Sequence, residues 1–216
     1  MEISGAAAWL NTVFAAFDQW AAVWVHNLYV IGGGFFTPFF ETISWLAHDG
    51  IPLIVISVVL MLFPKTRKYG TAMLLGIGIG ALVTNLCLKV LIARPRPYSD
   101  ETAQFFKTDL YQTLWNKVGR NMESDKSFPS GHTTAAFGAM SALFFMGNKK
   151  VSWLAFLFAG LMAIARIYLV VHFASDVLAG ILVGFPSGLL AAFIAKKLPQ
   201  VYYDFDFGIS KRKKTA

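Results

Sequence analysis

The 216-residue chain is 56% hydrophobic and only 14% charged, with 20 phenylalanines and a mean hydropathy of +0.56. A soluble domain carries about 25% charged residues, so this composition excludes a disordered chain, a coiled coil and a soluble nucleic-acid binder, and it points to a polytopic membrane protein. The net charge of +7 then matters through its placement relative to the membrane, with no nucleic-acid partner expected. The single cysteine, Cys87, sits in an apolar run, which leaves no intrachain disulfide and no multi-cysteine metal site.

Residues 1–64 contain no Lys or Arg, so no basic secretory leader is expected. In residues 8–30, Asn11, Asp18, Gln19, His26 and Asn27 interrupt an aromatic-rich stretch. That many polar groups disfavour a spanning helix. The stretch reads as an amphipathic helix in the interface, anchored by Trp9, Trp20 and Trp24, with a sixth span as the alternative. Gly32-Gly33-Gly34 predicts a bend. Next come a helical piece, Phe39 to Ala47, a break at His48-Asp49-Gly50, and the apolar run Ile51 to Pro64. That run has 14 residues, short for a span of about 20, and the preceding piece lengthens it.

Four further apolar segments are Thr71 to Ile92, Thr133 to Met146, Val151 to Val171 and Ala174 to Ala195. The expected fold is all-α: five transmembrane helices plus an N-terminal interfacial helix. It divides into an interfacial segment 1–35, a membrane domain 36–197 and a basic tail 198–216. Gly76, Gly78 and Gly80 form GIGIG, with no strand before them, so they read as a helix-packing face and not a nucleotide loop.

Orientation follows the basic residues. Lys65, Arg67 and Lys68, then Lys149 and Lys150, then Lys196, Lys197 and Lys211-Arg212-Lys213-Lys214 fall on one side of a five-span chain. That side is expected to be cytoplasmic, and the loop Tyr98–Phe128, with four basic and five acidic residues, lies outside.

Three groups of polar residues stand at membrane-helix ends, where ionisable side chains are functional by default. In the first, Lys89 and Arg96 are seven apart, which on a helix places them on one face, and Pro95 and Pro97 end that helix. In the second, Pro129-Ser130-Gly131-His132 precedes an apolar helix: Ser130 suits an N-cap, Gly131 admits a close ligand, and the free amides attract anions. In the third, Arg166 is followed by His172 and Asp176, whose i, i+4 spacing lets a carboxylate orient an imidazole. All three lie at the same end of their helices. Together they offer several cations, one helix N-terminus and two histidines, a site for a tetrahedral oxyanion. Asp176 is the only acid inside the groups, so a two-metal mechanism is disfavoured and no metal is expected.

The pattern Lys89-x6-Arg96-Pro97, Pro129-Ser130-Gly131-His132 and Arg166-x5-His172-x3-Asp176 resembles the type-2 phosphatidic acid phosphatase superfamily, which includes integral lipid phosphatases and the soluble vanadium haloperoxidases. Three separated motifs agree in order and spacing, over roughly residues 40–197. One departure is Ala165, where the third motif usually has Ser; the lost hydroxyl removes a phosphate contact worth about 1 kcal/mol.

The resemblance implies a phosphohistidine route without a cofactor. His172, oriented by Asp176, attacks phosphorus. His132 protonates the leaving oxygen and then activates water. Lys89, Arg96 and Arg166 hold the equatorial oxygens, with Ser130 and the Gly131 amide adding hydrogen bonds. The extra cation Arg94 is left to pair with a lipid phosphate or with a second phosphoryl group; the second use favours a polyprenyl diphosphate at the outer face of the plasma membrane, the monophosphate product serving cell-wall assembly. The alternatives are a phosphatidylglycerophosphate or phosphatidic acid phosphatase, a lipid phosphotransferase and, remotely, an anion transporter. The partners are the lipid phosphate and the surrounding membrane lipids.

Overall fold

The computed structural model describes residues 3–106 and 109–207. The basic run at residues 211–214 lies outside them. Among the described residues all regular structure is helical.

The N-terminal stretch forms two helices, α1 (Gly5–Val13) and α2 (Ala15–Gly32), broken at Phe14. Ser4 caps α1 by accepting from the Ala7 amide at 3.1 Å. Its hydroxyl donates to the Ile92 carbonyl, which ties the start of the chain to a point far along it. Trp9, Trp20 and Trp24 are exposed. The polar residues are distributed against expectation, because Asn11 and Asp18 are each only 1% exposed. They face protein, not water, because the buried Arg94 guanidinium waits there.

Gly33 (φ 54) and Gly34 (φ 83) make the expected bend in the left-handed region that a Cβ disfavours. Then come α3 (Thr37–Trp45), a single 3-10 turn at His48–Gly50, and α4 (Ile51–Leu62), so the expected break is present. Helix α5 (Pro64–Ile92) begins at Pro64, ahead of the predicted Thr71, since proline's fixed φ suits a first helical position. A π-helical stretch, Leu82–Leu88, lies within α5 just before Lys89. The loop that follows carries α6 (Asp100–Phe106) and α7 (Leu110–Lys117). The chain continues through α8 (Gly131–Met146), α9 (Lys149–Tyr168), α10 (Ala174–Lys197) and α11 (Gln200–Asp204).

Helix α8 is central, packed against α5, α9 and α10, while α4 lies on α5 and α3 on α9. The GIGIG segment provides close packing: a Cβ on Gly76 would stand 2.4 Å from the Gly138 carbonyl oxygen, and one on Gly80 would stand 2.8 Å from Thr134. Gly78 points away, with nothing within 4 Å. Small residues let backbones approach where lipid offers no hydrophobic driving force between helices.

By length and composition α5, α9 and α10 can cross a membrane, and α4 is a shorter apolar helix. Leu86, Val90 and Leu91 of α5 and Leu182 and Phe193 of α10 are exposed, as lipid-facing residues are. The architecture is an all-helical membrane fold. The C-terminal ends of α5 and α9 and the N-terminal ends of α8 and α10 meet at one end of the bundle. Lys65, Lys68, Lys149, Lys150, Lys196 and Lys197 are exposed at the other. Arg67 departs from that group, being 2% exposed and donating to the Tyr202 carbonyl at 2.9 Å, where it pins α11.

Candidate active site

A cavity of about 210 Å³ lies where those four helix ends meet. Lys89, Arg96, Gly131, His132 and His172 line its polar side, with Ile54, Ile77, Ala81 and Ala135 as an apolar wall. Thus α4, α5, α8 and the loop before α10 all contribute.

Lys89 and Arg96 converge, but not by sharing a helix face. Helix α5 ends at Ile92, Ala93 adopts φ 50, and residues 94–97 leave the helix. The meeting point is Asp125, whose carboxylate pairs with Lys89 Nζ through one oxygen and Arg96 Nη2 through the other. Burial alone would raise the Asp125 carboxyl; the Lys89 and Arg96 cations outweigh it and hold it below the usual carboxylate range. Arg96 also donates to the Val171 carbonyl at 2.7 Å, which fixes it beside the histidine loop.

Ser130 caps α8: its Oγ accepts from the Thr133 amide and, at 2.9 Å, from the Thr133 hydroxyl. It is fully buried and does not line the cavity. Gly131 does line it, and a Cβ there would stand 3.6 Å from Lys89 Nζ. His132, on the first turn of α8, has a buried Nε2 without a hydrogen-bond partner.

His172 and Asp176 meet, though His172 precedes α10 and only Asp176 is on it. Asp176 accepts from the Phe173 amide at 2.9 Å, an N-terminal cap that turns the carboxylate back toward the loop. His172 Nδ1 lies 3.7 Å from Asp176 Oδ2, and Nε2 lies 3.0 Å from Arg96 Nη1. Arg96 Nη1 is 3.5 Å from Nδ1 as well, so Nε2 is the nitrogen nearer the guanidinium; since a guanidinium only donates, this favours the lone pair on Nε2 and the proton on Nδ1, toward Ser127 and Asp176. Burial, with Arg96 beside it, pushes the His172 imidazole down to about 3, so it is neutral at pH 7.

Arg166 stands in an adjoining hollow of about 490 Å³ with Glu41, Ser44, His48 and Glu123. It donates to Ser44 Oγ at 2.5 Å and pairs with Glu123, which lines both cavities. Ala165, at the position of the missing hydroxyl, is fully buried in an apolar cluster with Tyr168 and Phe173.

Arg94 corrects the sequence reading. It is 0% exposed and bonded to Asn11, Asp18, Ser175 and Asp176, so it has no opening toward the cavity and cannot meet a second phosphoryl group. The acids Glu123 and Asp125 and the hydroxyl of Ser127, which donates to Asp176, were not singled out by sequence. Their only signal was the surplus of acids in a loop between cationic motifs. Among the described residues, no three His, Cys, Asp or Glu side chains gather as a metal site.

The arrangement can bind a tetrahedral anion between cations, present a neutral imidazole lone pair to it, and place a second imidazole nearby. The family model described as PAP2 superfamily matches residues 68–199. The chain belongs to the PAP2 superfamily. Two named relatives and one solved structure are similar to it. Undecaprenyl-diphosphatase BcrC of Bacillus subtilis is 31% identical over 137 residues, 63% of this chain and 64% of that one, a little under two thirds of the relative's length. Phosphatidylglycerophosphatase B of Bacillus subtilis is 33% identical over 171 residues, 72% of this chain and 73% of that one. A crystal structure of a transmembrane PAP2-type phosphatidylglycerolphosphate phosphatase from Bacillus subtilis superposes with a TM-score of 0.66 at 26% identity, covering 90% of this chain and 92% of that chain. The PAP2 model spans the motif residues but not α1 to α4.

Proposed function

We propose that the protein is a lipid phosphate phosphatase that works through a phosphohistidine on His172. The observation that carries this is the orientation of His172: Nε2 toward the cations of the cavity, Nδ1 toward Asp176. The terminal phosphoryl group takes the place of Asp125 between Lys89 and Arg96, with Arg166 close behind. The His172 Nε2 lone pair forms an N–P bond as the P–O bond to the leaving group breaks, and His132 gives that oxygen a proton. Water then attacks phosphorus, its proton passes to His132, and the N–P bond breaks to release phosphate. The dianionic substrate favours the protonated form of His132 when it arrives, since a nearby negative charge stabilises an imidazolium. The fixed cations supply the charge stabilisation that a metal ion would otherwise give.

For the substrate we favour a polyprenyl diphosphate, which leaves as a phosphomonoester, a better leaving group than an alkoxide. With Arg94 enclosed, the second phosphoryl group needs another cation. Lys126 supplies it. It lines an outer cavity of about 640 Å³ that shares Asn85, Lys89 and Arg96 with the inner one. The apolar wall of Ile54, Ile77, Ala81 and Ala135 suits the first carbons of the chain. The match to phosphatidylglycerophosphatase B favours a glycerolipid phosphate as the second reading. We place five helices across the plasma membrane, with the site outside and the ends rich in lysine in the cytoplasm. The test is kcat/KM for phosphate release from a polyprenyl diphosphate, phosphatidylglycerophosphate and phosphatidic acid in matched detergent. Preference for a glycerolipid rejects the diphosphate; a phosphorylated lipid acceptor without free phosphate makes the protein a phosphotransferase.

A further inference from the structure

We infer that Asp18, on α2, is a positioning residue of the active site: through Arg94 it leaves one net negative charge behind His172. The inference rests on the reading of His172 as the nucleophile.

Every nitrogen of the Arg94 guanidinium is engaged. Nε donates to Asn11 Oδ1 at 2.7 Å, Nη1 to Ser175 Oγ at 2.8 Å and to Asp176 Oδ1 at 2.6 Å, and Nη2 to Asp18 Oδ2 at 2.8 Å. Asp18 is held in turn by α10: the Ser175 amide donates to Oδ1 at 2.8 Å and the Ser175 hydroxyl to Oδ2 at 2.7 Å. The Phe173 ring covers the guanidinium, 3.9 Å from its carbon. Asp18 and Asp176 side chains are 0% exposed. Water does not dilute these charges, and interactions over a few ångströms are strong in such a place.

The charge count is what makes Asp18 more than a clamp. Arg94 and Asp176 alone would cancel, and His172 would have a neutral pair behind it. With Asp18 the buried group is Arg94, Asp18 and Asp176, one cation against two anions. When Nε2 takes the phosphoryl group, the imidazole ring becomes cationic, and the remaining negative charge offsets it. The other charged or titratable groups near His172 are Arg96, Arg166 and His132, Tyr111, which shares a small hollow with Asp18 and His172, and Lys89, Glu123 and Asp125 across the cavity. The two acids are already paired with cavity cations, Glu123 with Arg166 and Asp125 with Lys89 and Arg96, so neither leaves a net negative charge behind His172. The N-terminal segment, outside the PAP2 match, thus contributes to the catalytic relay.

The experiment is a charge-balance cycle on the detergent-purified full chain. Asp18→Asn leaves the buried group neutral, Arg94→Gln leaves it with two negative charges, and the double variant restores a single negative charge on Asp176. Phosphate release gives kcat and KM, and a rapid quench gives the rate of phosphoenzyme formation. We expect Asp18→Asn to lower kcat and phosphoenzyme formation by about tenfold or more with KM within about twofold, and the double variant to recover most of that loss. An Asp18→Asn protein with wild-type kcat overturns the inference, and so does a double variant no faster than the slower single one, which is what a plain structural clamp gives. Should Asp18→Asn fail to fold, the double variant decides: kcat within about tenfold of wild type supports the inference, and a folded protein slower than that overturns it. The functional reading fails separately, by absence of phosphate release from the wild-type chain on every lipid phosphate tried.

Discussion

Arg96 Nη1 stands 3.0 Å from His172 Nε2 and 3.5 Å from Nδ1, so Nε2 is the nitrogen nearer the guanidinium. Because arginine has donors only, that nearer nitrogen is favoured to hold the lone pair. In the proposed mechanism the same guanidinium holds a phosphoryl oxygen and faces the imidazole lone pair, while Asp176 lies 3.7 Å from the ring's other nitrogen.

His172→Ala is expected to abolish phosphate release, a loss of at least about a thousandfold, and to leave no phosphoenzyme in acid-quenched samples. His132→Ala should also lose turnover on lipids, yet form phosphoenzyme from substrates with good leaving groups, since only the leaving oxygen's proton is missing. Labelled phosphate trapped on His172→Ala would assign the nucleophile elsewhere.

In the proposed mechanism the fixed charges of Lys89, Arg96 and Arg166 neutralise the phosphoryl group, so activity should survive a chelator at millimolar excess. Vanadate, which adopts the five-coordinate geometry of the transition state, should inhibit. Chelator-sensitive turnover restored by a divalent ion would contradict this.

Lys126 is exposed on the rim of the outer cavity, away from the histidines. Lys126→Ala should raise KM for a polyprenyl diphosphate several-fold, about 1 kcal/mol for an exposed charge pair, and leave KM for phosphatidic acid near wild type. Equal effects on both substrates would remove Lys126 from the second phosphoryl group.

Gln112 lies on α7, in the loop predicted to be outside. Gln112→Cys in a Cys87→Ser background should react with a membrane-impermeant maleimide in intact cells. Reaction only after lysis would reverse the orientation read from the lysines.

The three motifs were legible because each is local: cap, helix start and i, i+4 spacing are properties of a few adjacent residues. Lys89, Arg96, Gly131, His132 and His172 line one cavity, with Arg166 and Asp176 beside it. The apolar segments, the break at His48–Gly50 and the packing role of Gly76 and Gly80 were legible for the same reason, since a helix of given length and a small residue at a given spacing carry their meaning with them. Pairing was not legible. The sequence shows how many acids stand near the cations but not which meets which. Hence Arg94 read as a phosphate ligand although Asp18, 76 positions earlier, holds it out of the cavity. Likewise Lys89 and Arg96 were assigned a common helix face when it is Asp125, from another loop, that draws them together. A charged side chain in a low-dielectric interior must find a partner, and the partner is chosen by proximity in space. Composition and spacing therefore determine that this chain is a helical membrane protein with cations and two histidines at the ends of its helices. Only the tertiary fold decides which of its cations are available to bind an oxyanion.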